Sequence, residues 1–415
     1  MDLELVTIGD ELLLGFTLDS NSAWLSRQLS EMGVRVVRRT TVPDAGPLIV
    51  EAVRDSLRRT GAVITTGGLG PTTDDLTTAS VAAAFDVPLV RDESVAASLV
   101  ERWQARIRSG PPTEAYMRQA LVPQGATVLH NSAGSAPGLM VQDGESRWVA
   151  VLPGVPREMK AIFNEELRQM VAARTGSEPL VVRSRTLRTV GVAESVVSEW
   201  LHDADTELGG LPLSYLPSAL GLDLRLTTPA VPARHADTLL DAGIAWLRAR
   251  VGANAYGLDG DDLAGVVLDR CRVRGVTLAV AESCTGGLLG ARLTSIAGSS
   301  DVFLGGVISY SNDAKRNQLG VASESLSRWG AVSEQVALEM AAGARERFSA
   351  DIAVAITGIA GPAGGSDSKP VGTVWTAVDS AYQRLARVNR YGGDRDEIRV
   401  RAAQGALDAI RLLLT

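Results

Sequence analysis

Two stretches of the chain place hydroxyls, carboxylates and amines close together at spacings that could support hydrolysis. In the second half, Ser283 stands in AESCTGG, followed by Cys284, Thr285, Gly286 and Gly287. The segment IAGSSDVFLGGVISYSNDAK then brings Ser299, Ser300, Tyr310 and Lys315. A serine hydroxyl is a poor nucleophile until a base takes its proton. No histidine follows His235, so the base left in this half is a lysine, and serine–lysine pairs carry out acyl transfer on unrelated folds. Such a lysine needs a pKa lowered by burial or by a neighbouring cation. Lys315 with Tyr310 relaying or orienting is chemically coherent. Thr357 and Gly358, at a strand end, could stabilise an oxyanion, and Arg395, at a helix start, suits a phosphate or carboxylate. Cys284 reads as a buried structural thiol, because no nearby group lowers its pKa.

In the first half the densest feature is AVITTGGLGPTTDD. A strand feeds Gly67, Gly68 and Gly70, and then Thr72, Asp74 and Asp75 at the start of a predicted helix. Glycines let the backbone approach a ligand closely, and amides at such a turn bind phosphate. Adjacent aspartates repel bare phosphate but could hold a hard cation that bridges to it. IGDELLLGFTLDSN supplies Asp10 and Glu11 after another strand, with Asn21 opening the next helix; these carboxylates could join Asp74 and Asp75 in a metal and general-base cluster. In LPGVPREM, Pro153 and Pro156 fix a turn that lets Arg157 or Glu158 cap or line the same site.

The elements that must position these groups follow from hydrophobic patterning. Strands at Leu3–Ile8, Val34–Arg39 and Ala62–Thr66 alternate with helices at Ser20–Gly33, Pro47–Gly61 and Thr72–Phe85. This βαβαβ order implies a parallel sheet with right-handed crossovers. A second series runs through Leu263–Arg274 (helix), Val276–Ala281 (strand), Thr285–Ser295 (helix), Val302–Tyr310 (strand), Ser333–Phe348 (helix) and Ile352–Thr357 (strand), ending in the helix Asp394–Leu414. Between them GGLPLSYLPSALG reads as a loop or hairpin connection, and Asn254–Asp262 as a linker. The fold class is α/β: a doubly wound parallel-sheet domain over residues 1–170, a small α+β spacer over 171–255 and an α/β domain over 256–415.

The 415 residues are 45% hydrophobic and 21% charged, which is ordinary for a globular chain. The net charge of −7 argues against a nucleic-acid partner, since phosphate neutralisation needs a basic face. Aromatics are too few, at 4%, for a base-stacking platform. The two cysteines fit a reducing compartment. The apolar runs are far too short for a membrane span, and the acidic start is unlike a signal peptide, so a cytoplasmic chain without a membrane partner is expected. A homodimer is expected on general grounds.

TIGDELLLG, TTGGLGPTTDD and LPGVPREM together resemble the competence/damage-inducible CinA family, whose first domain resembles the molybdopterin-binding domain. AESCTGG, GSS, YSNDAK, TGIAGP and GDRD resemble that family's C-terminal nicotinamide-nucleotide amidohydrolase domain. The resemblance implies a bifunctional pyridine-nucleotide recycling hydrolase. Its C-terminal half would convert nicotinamide mononucleotide to nicotinate mononucleotide and ammonia without a cofactor. Its N-terminal half would cleave ADP-ribose with a divalent metal ion (Mg2+, Mn2+ or Co2+) held by Asp10, Glu11, Asp74 and Asp75. It implies Ser300 as nucleophile, with Ser283 as substrate contact and alternative nucleophile, Lys315 as base, Tyr310 as its partner, and Thr357 with Arg395 as stabilisers. Thr285, Gly286, Gly287, Ser299 and Gly358 would bind the mononucleotide; Gly67, Gly68, Gly70, Thr72, Asn21 and Glu158 would bind the ligand of the first domain. Asp313 stands where the motif often has Glu. The alternative is a nucleotide- or pterin-binding accessory protein without turnover in the first domain.

Overall fold

A computed structural model describes residues 1–106, 110–144, 147–176 and 179–415. By compactness the chain divides into one unit of residues 1–183 with 228–237 and another of residues 184–227 with 238–415.

In the first unit, β1 (Asp2–Ile8), β2 (Arg35–Val42), β3 (Ala62–Thr66), β4 (Thr127–Leu129), β5 (Gly138–Gln142) and β6 (Trp148–Leu152) form one sheet in the order β2-β1-β3-β6-β5-β4. The first four are parallel, and β5 and β4 add an antiparallel margin. Side chains alternate between faces along a strand, and both faces here are apolar. Leu3 and Leu5 join one core with Ile64, Ala150 and Leu152, whereas Val6 and Ile8 join the other with Val63, Val149 and Val151. Helix α1 (Ser20–Glu31) seals the first face through Leu25 and Leu29, and α2 (Gly46–Thr60) seals the second through Ile49 and Val53. This two-sided burial is what a doubly wound parallel sheet requires.

The second unit holds two sheets. In the smaller, β7 (Ser184–Thr189), β8 (Leu213–Ser218), β9 (Gly221–Thr227) and β10 (Ala255–Leu258) run in the order β8-β9-β7-β10. One expectation is settled as a hairpin here and another changes. The Gly/Pro-rich stretch is half of the β8–β9 hairpin, and the expected linker at Asn254–Asp262 begins with a paired strand, β10. Short strands with Gly and Pro at both ends carry little periodic signal, and pairing decides them.

The larger sheet has β11 (Leu278–Glu282), β12 (Phe303–Ile308), β13 (Ile352–Gly358), β14 (Thr373–Ser380) and β15 (Arg384–Arg390) in the order β12-β11-β13-β14-β15. The first three are parallel and the last two antiparallel. Its faces differ in side-chain size. Leu278, Val280, Ile352, Val354 and Ile356 face a core of larger residues shared with helices α3 (Leu263–Arg274) and α4 (Leu288–Thr294). Ala279, Ala281, Ala353 and Ala355 face a core lined with Ala337, Ala341 and Ala344. Small residues on both sides let helix α6 (Glu334–Phe348) lie close to the sheet. The preceding α5 (Asn312–Leu319) is drawn in with it: a Cβ at Gly343 of α6 would sit 1.9 Å from the Leu319 carbonyl oxygen. Helix α7 (Arg395–Leu413) closes the larger core with Ile398, Leu407 and Ile410.

Candidate functional site

At the carboxyl end of β11 the chain turns sharply through Ser283–Gly287 before α4. In open parallel sheets this edge is where ligands bind. Gly287 (φ 96°) faces Ile308, with room for no side chain. Glu282, fully buried, folds its carboxylate back under the turn and accepts from the amides of Gly287 (3.0 Å), Leu289 (3.1 Å) and Gly290 (2.8 Å). It thereby satisfies amides at the start of α4 and fixes the turn that presents Ser283. Sequence reasoning missed Glu282; an acid immediately before the Ser-Cys-Thr-Gly-Gly run was the available signal.

Lys315 lies on α5, and its side chain is 2% exposed. Its Nζ donates to Ser283 Oγ at 2.9 Å and to the Ser309 carbonyl at 2.7 Å. No carboxylate pairs with it among the described residues. Burial of the ammonium lowers its pKa to about 8, because low dielectric disfavours the charged form. Ser309 is a main-chain contact, so its side chain gave no sequence signal. Burial pushes the adjacent Cys284 thiol the other way, up to about 11, so at neutral pH it is no nucleophile.

Around this pair, Arg395 at the start of α7 donates to Tyr310 OH at 3.0 Å and also reaches the Gly361 carbonyl. Arg399, one turn further on and absent from the sequence-based set, donates to the Thr285 carbonyl at 3.2 Å. The Thr285 hydroxyl is buried without a partner. Among the described residues its N–H also makes no hydrogen bond to the chain. Thr357 is placed at the end of β13 as expected, but its hydroxyl is committed to the Ala331 carbonyl (2.8 Å). Gly358 pairs with Val374 across the sheet and is there for packing: a Cβ would meet that valine at 2.6 Å.

The expected position of Ser300 is corrected. Ser299–Asp301 forms a 3₁₀ turn before β12, whereas Lys315 follows the far end of that strand. Six extended residues span about 20 Å, so Ser299 and Ser300 belong to the opposite edge of the sheet. There Asp301 pairs with Arg272 at 2.7 Å. The hydroxyl brought to Lys315 is that of Ser283.

In the first unit a cavity of about 280 Å³ opens at the carboxyl ends of β1 and β3. Glu11, Asn21, Gly67, Gly68, Asp74 and Asp75 line it. Gly67 (φ 111°) lies against the Ile8 carbonyl, where a Cβ would be 2.1 Å away, and Gly68 (φ 64°) against Thr77. Asn21 donates to Thr66 Oγ1 and to the Gly154 carbonyl, leaving its own buried oxygen unpartnered. Asp44, which sequence reasoning passed over, also lines the cavity and accepts from the Asp10 amide. Burial, and then the carboxylates of Asp10, Glu11 and Asp74, push its carboxyl above the ordinary range.

Several expectations for this site do not hold. The predicted helix from Thr72 begins at Thr77; residues 72–76 form a loop. Asp75 closes that loop, accepting from the amides of Gly70 (2.6 Å) and Thr72 (2.7 Å) and from the Thr72 hydroxyl (2.5 Å). Glu158 sits away from the cavity, over Gly134, and accepts from Asn131 at 2.7 Å. The four carboxylates assigned to a metal do not converge. Among the described residues no three Asp, Glu, His or Cys side chains come together closely enough to hold a cation. Asp75 has spent its oxygens on the loop, and Asp10 stands exposed on a short helix. The donor set therefore does not fit a metal ion, and no catalytic step is assigned to one.

Comparison with known proteins gives these two sites a common setting. Residues 4–173 match the probable molybdopterin binding domain, residues 184–257 the damage-inducible protein CinA KH domain, and residues 260–414 the CinA C-terminal domain. A CinA-like protein of Gemmatimonas aurantiaca is 50% identical over 411 residues, covering 99% of this chain and 96% of its own. The chain belongs to the CinA family. A CinA-like protein of Salinibacter ruber is 41% identical over the full length of both chains. The solved structure of competence/damage inducible protein CihA from Agrobacterium tumefaciens is 47% identical across 37% of this chain and 93% of its own, with a TM-score of 0.36. No helix among the described residues is long and apolar enough to cross a membrane.

Proposed function

We propose that the C-terminal domain of this CinA-family chain is a serine–lysine amidohydrolase acting on nicotinamide mononucleotide. The observation that carries the reading is the 2.9 Å contact between Ser283 Oγ and a buried Lys315 amine whose only other hydrogen-bond partner among the described residues is a carbonyl. A carbonyl cannot take a proton from the amine, so it orients Nζ, whose lone pair in the neutral form is then available to Ser283.

In the proposed reaction Lys315 takes the hydroxyl proton as Ser283 Oγ bonds to the carboxamide carbon. The carbonyl electrons move onto oxygen, and the Thr285 N–H and hydroxyl, unpaired among the described residues and two positions after Ser283, are the donors we assign to that oxyanion. The protonated Lys315 returns its proton to the amide nitrogen as the C–N bond breaks, releasing ammonia and leaving a Ser283 ester. Water, deprotonated by Lys315, opens the ester to nicotinate mononucleotide and regenerates the serine. Arg395 and Arg399, which reach Tyr310 and the Thr285 carbonyl, supply the positive charge for the mononucleotide phosphate in this reading. Ammonia release by wild type, Ser283→Ala and Ser300→Ala tests the reading. Loss in the first variant alone supports it; loss in the Ser300 variant alone returns the nucleophile to that residue.

For the first domain the observed cavity favours the reading without turnover: a binder of a nucleotide or pterin phosphate. The commitment of Asp75 to its loop and the absence of a chelating set among the described residues support binding over metal-dependent cleavage of ADP-ribose. Titration with ADP-ribose, with and without Mg2+, Mn2+ or Co2+, separates the two. Binding without AMP release is expected, and metal-dependent release of AMP overturns it.

A further inference from the structure

A second cavity in the C-terminal unit, of about 940 Å³, lies away from the Ser283 turn. Its floor is the β14–β15 face and one stripe of α7; residues 190–194 and 217–222, flanking strands of the smaller sheet, form its cover. Its volume falls at the upper end of small-molecule sites.

The polar groups on its walls are out of balance. Arg401, half-buried on α7, makes no hydrogen bond or ion pair among the described residues, and its Nε is shut off from solvent. Thr376 is 4% exposed, and its hydroxyl is also buried without a partner. Arg387 pairs directly across the ladder from Thr376, so the two side chains leave the sheet side by side on one face. Neither Arg387 nor Arg390 has an acidic partner among the described residues. Two of the three acids on the walls are already engaged: Asp408 with Arg411 at 2.6 Å, and Glu397 as the capping acceptor for the Asp394 amide. The third, Glu194, is exposed at the rim. The Tyr391 phenol, pushed up to about 12 by burial, stays a neutral donor on the same wall.

A guanidinium nitrogen shut off from solvent without an acceptor is costly, and Arg401, with the exposed Arg387 beside the Thr376 hydroxyl, offers the donors that carboxylates and phosphates fit. Val378, Leu385 and Leu412 supply an apolar side to the cavity. We propose that this cavity is a binding site for a nucleotide-sized organic anion, its phosphate or carboxylate held by Arg401, Thr376 and Arg387 and its body lying on the apolar wall. The inference rests on this cavity alone and stands whether or not Ser283 is the nucleophile.

Calorimetric titration of the full chain with AMP tests it, using Thr376→Val and Arg401→Met against Ser283→Ala and Asp75→Ala. A saturable AMP site that survives in the last two variants and weakens about tenfold or more in the first two supports the proposal. Displacement of that AMP by inorganic phosphate identifies the phosphate group as what is recognised, and displacement by benzoate identifies a carboxylate-accepting fork. Titrations that superimpose for wild type and both cavity variants, or no saturation by about 5 mM AMP, overturn it. Thr376→Val is isosteric, so it keeps the test valid if Arg401→Met does not fold.

Discussion

Replacing Lys315 separates the two properties that its burial creates. The folded-state pKa is lowered from 10.5 to about 8. If the neutral amine is the base, about one molecule in eleven is active at pH 7 and about ten in eleven at pH 9, so the ammonia-release rate climbs about tenfold between them. Lys315→Met removes the base and lowers the rate by about 10²–10⁴-fold, the range for a positioned general base. Stability follows a related course. The unfolded chain keeps its lysine proton up to the ordinary value, whereas the folded chain sheds it near pH 8. The wild type therefore gains stability as pH rises between those values, at about 1.4 kcal/mol per pH unit and about 3 kcal/mol in all. Below pH 8 that stabilisation is absent. The assay is the difference in unfolding free energy between wild type and Lys315→Met at a series of pH values, read by urea-dependent proteolysis of the C-terminal domain. Taking the difference cancels Cys271 and Tyr391, whose raised pKa values do not depend on Lys315, whereas Cys284, which feels the Lys315 charge, is replaced by alanine in both proteins. A difference curve that stays flat from pH 7.5 to 10.5, or a rate profile whose rise persists in Lys315→Met, would refute the reasoning.

Further outcomes follow from single contacts. Glu282→Ala leaves three amides without their acceptor and should cost about 2–4 kcal/mol; the thermal midpoint of the C-terminal domain should fall, with Glu282→Gln falling less. Tyr310→Phe removes the hydroxyl that Arg395 meets at 3.0 Å, a loss of about 1 kcal/mol in substrate binding, seen as a several-fold rise in KM with kcat nearly unchanged. Asp75→Ala frees the amides of Gly70 and Thr72, so the first domain should lose ADP-ribose affinity and its 67–76 loop should become protease-sensitive, whereas Glu158→Gln should leave that affinity intact.

Much of the architecture was legible because its periodicity is strong. Val149 to Leu152 is an unbroken apolar run, and Leu3 to Ile8 is one broken by Glu4 and Thr7, a pattern that a sheet covered on both faces accommodates, and Gly61 and Gly275 end helices in left-handed conformation. What failed was local and polar. Thr72 to Asp75 reads as a helix start by composition, yet Asp75 satisfies the loop amides better outside a helix, and the helix is delayed to Thr77. The chemistry was legible as a set of residues and not as a pairing. Ser283, Ser300 and Lys315 were all singled out, but choosing between the two serines depends on which edge of a parallel sheet each occupies. Spacing along one strand does not reveal that. The Ser309 carbonyl acts through the backbone, which leaves no mark on residue identity, and the Glu282 carboxylate binds backbone amides, so only its place before the Ser-Cys-Thr-Gly-Gly run marks it.

The Gly343 contact with the Leu319 carbonyl means that the lysine's reach is calibrated from a different helix. Helix α5 carries Lys315 near its middle and ends where Gly343 admits it. Even one methyl group there would shift α5 outward as a rigid rod and lift the amine off Ser283 without touching either reacting group. A glycine with no chemistry of its own thus acts as the spacer that gauges the dyad.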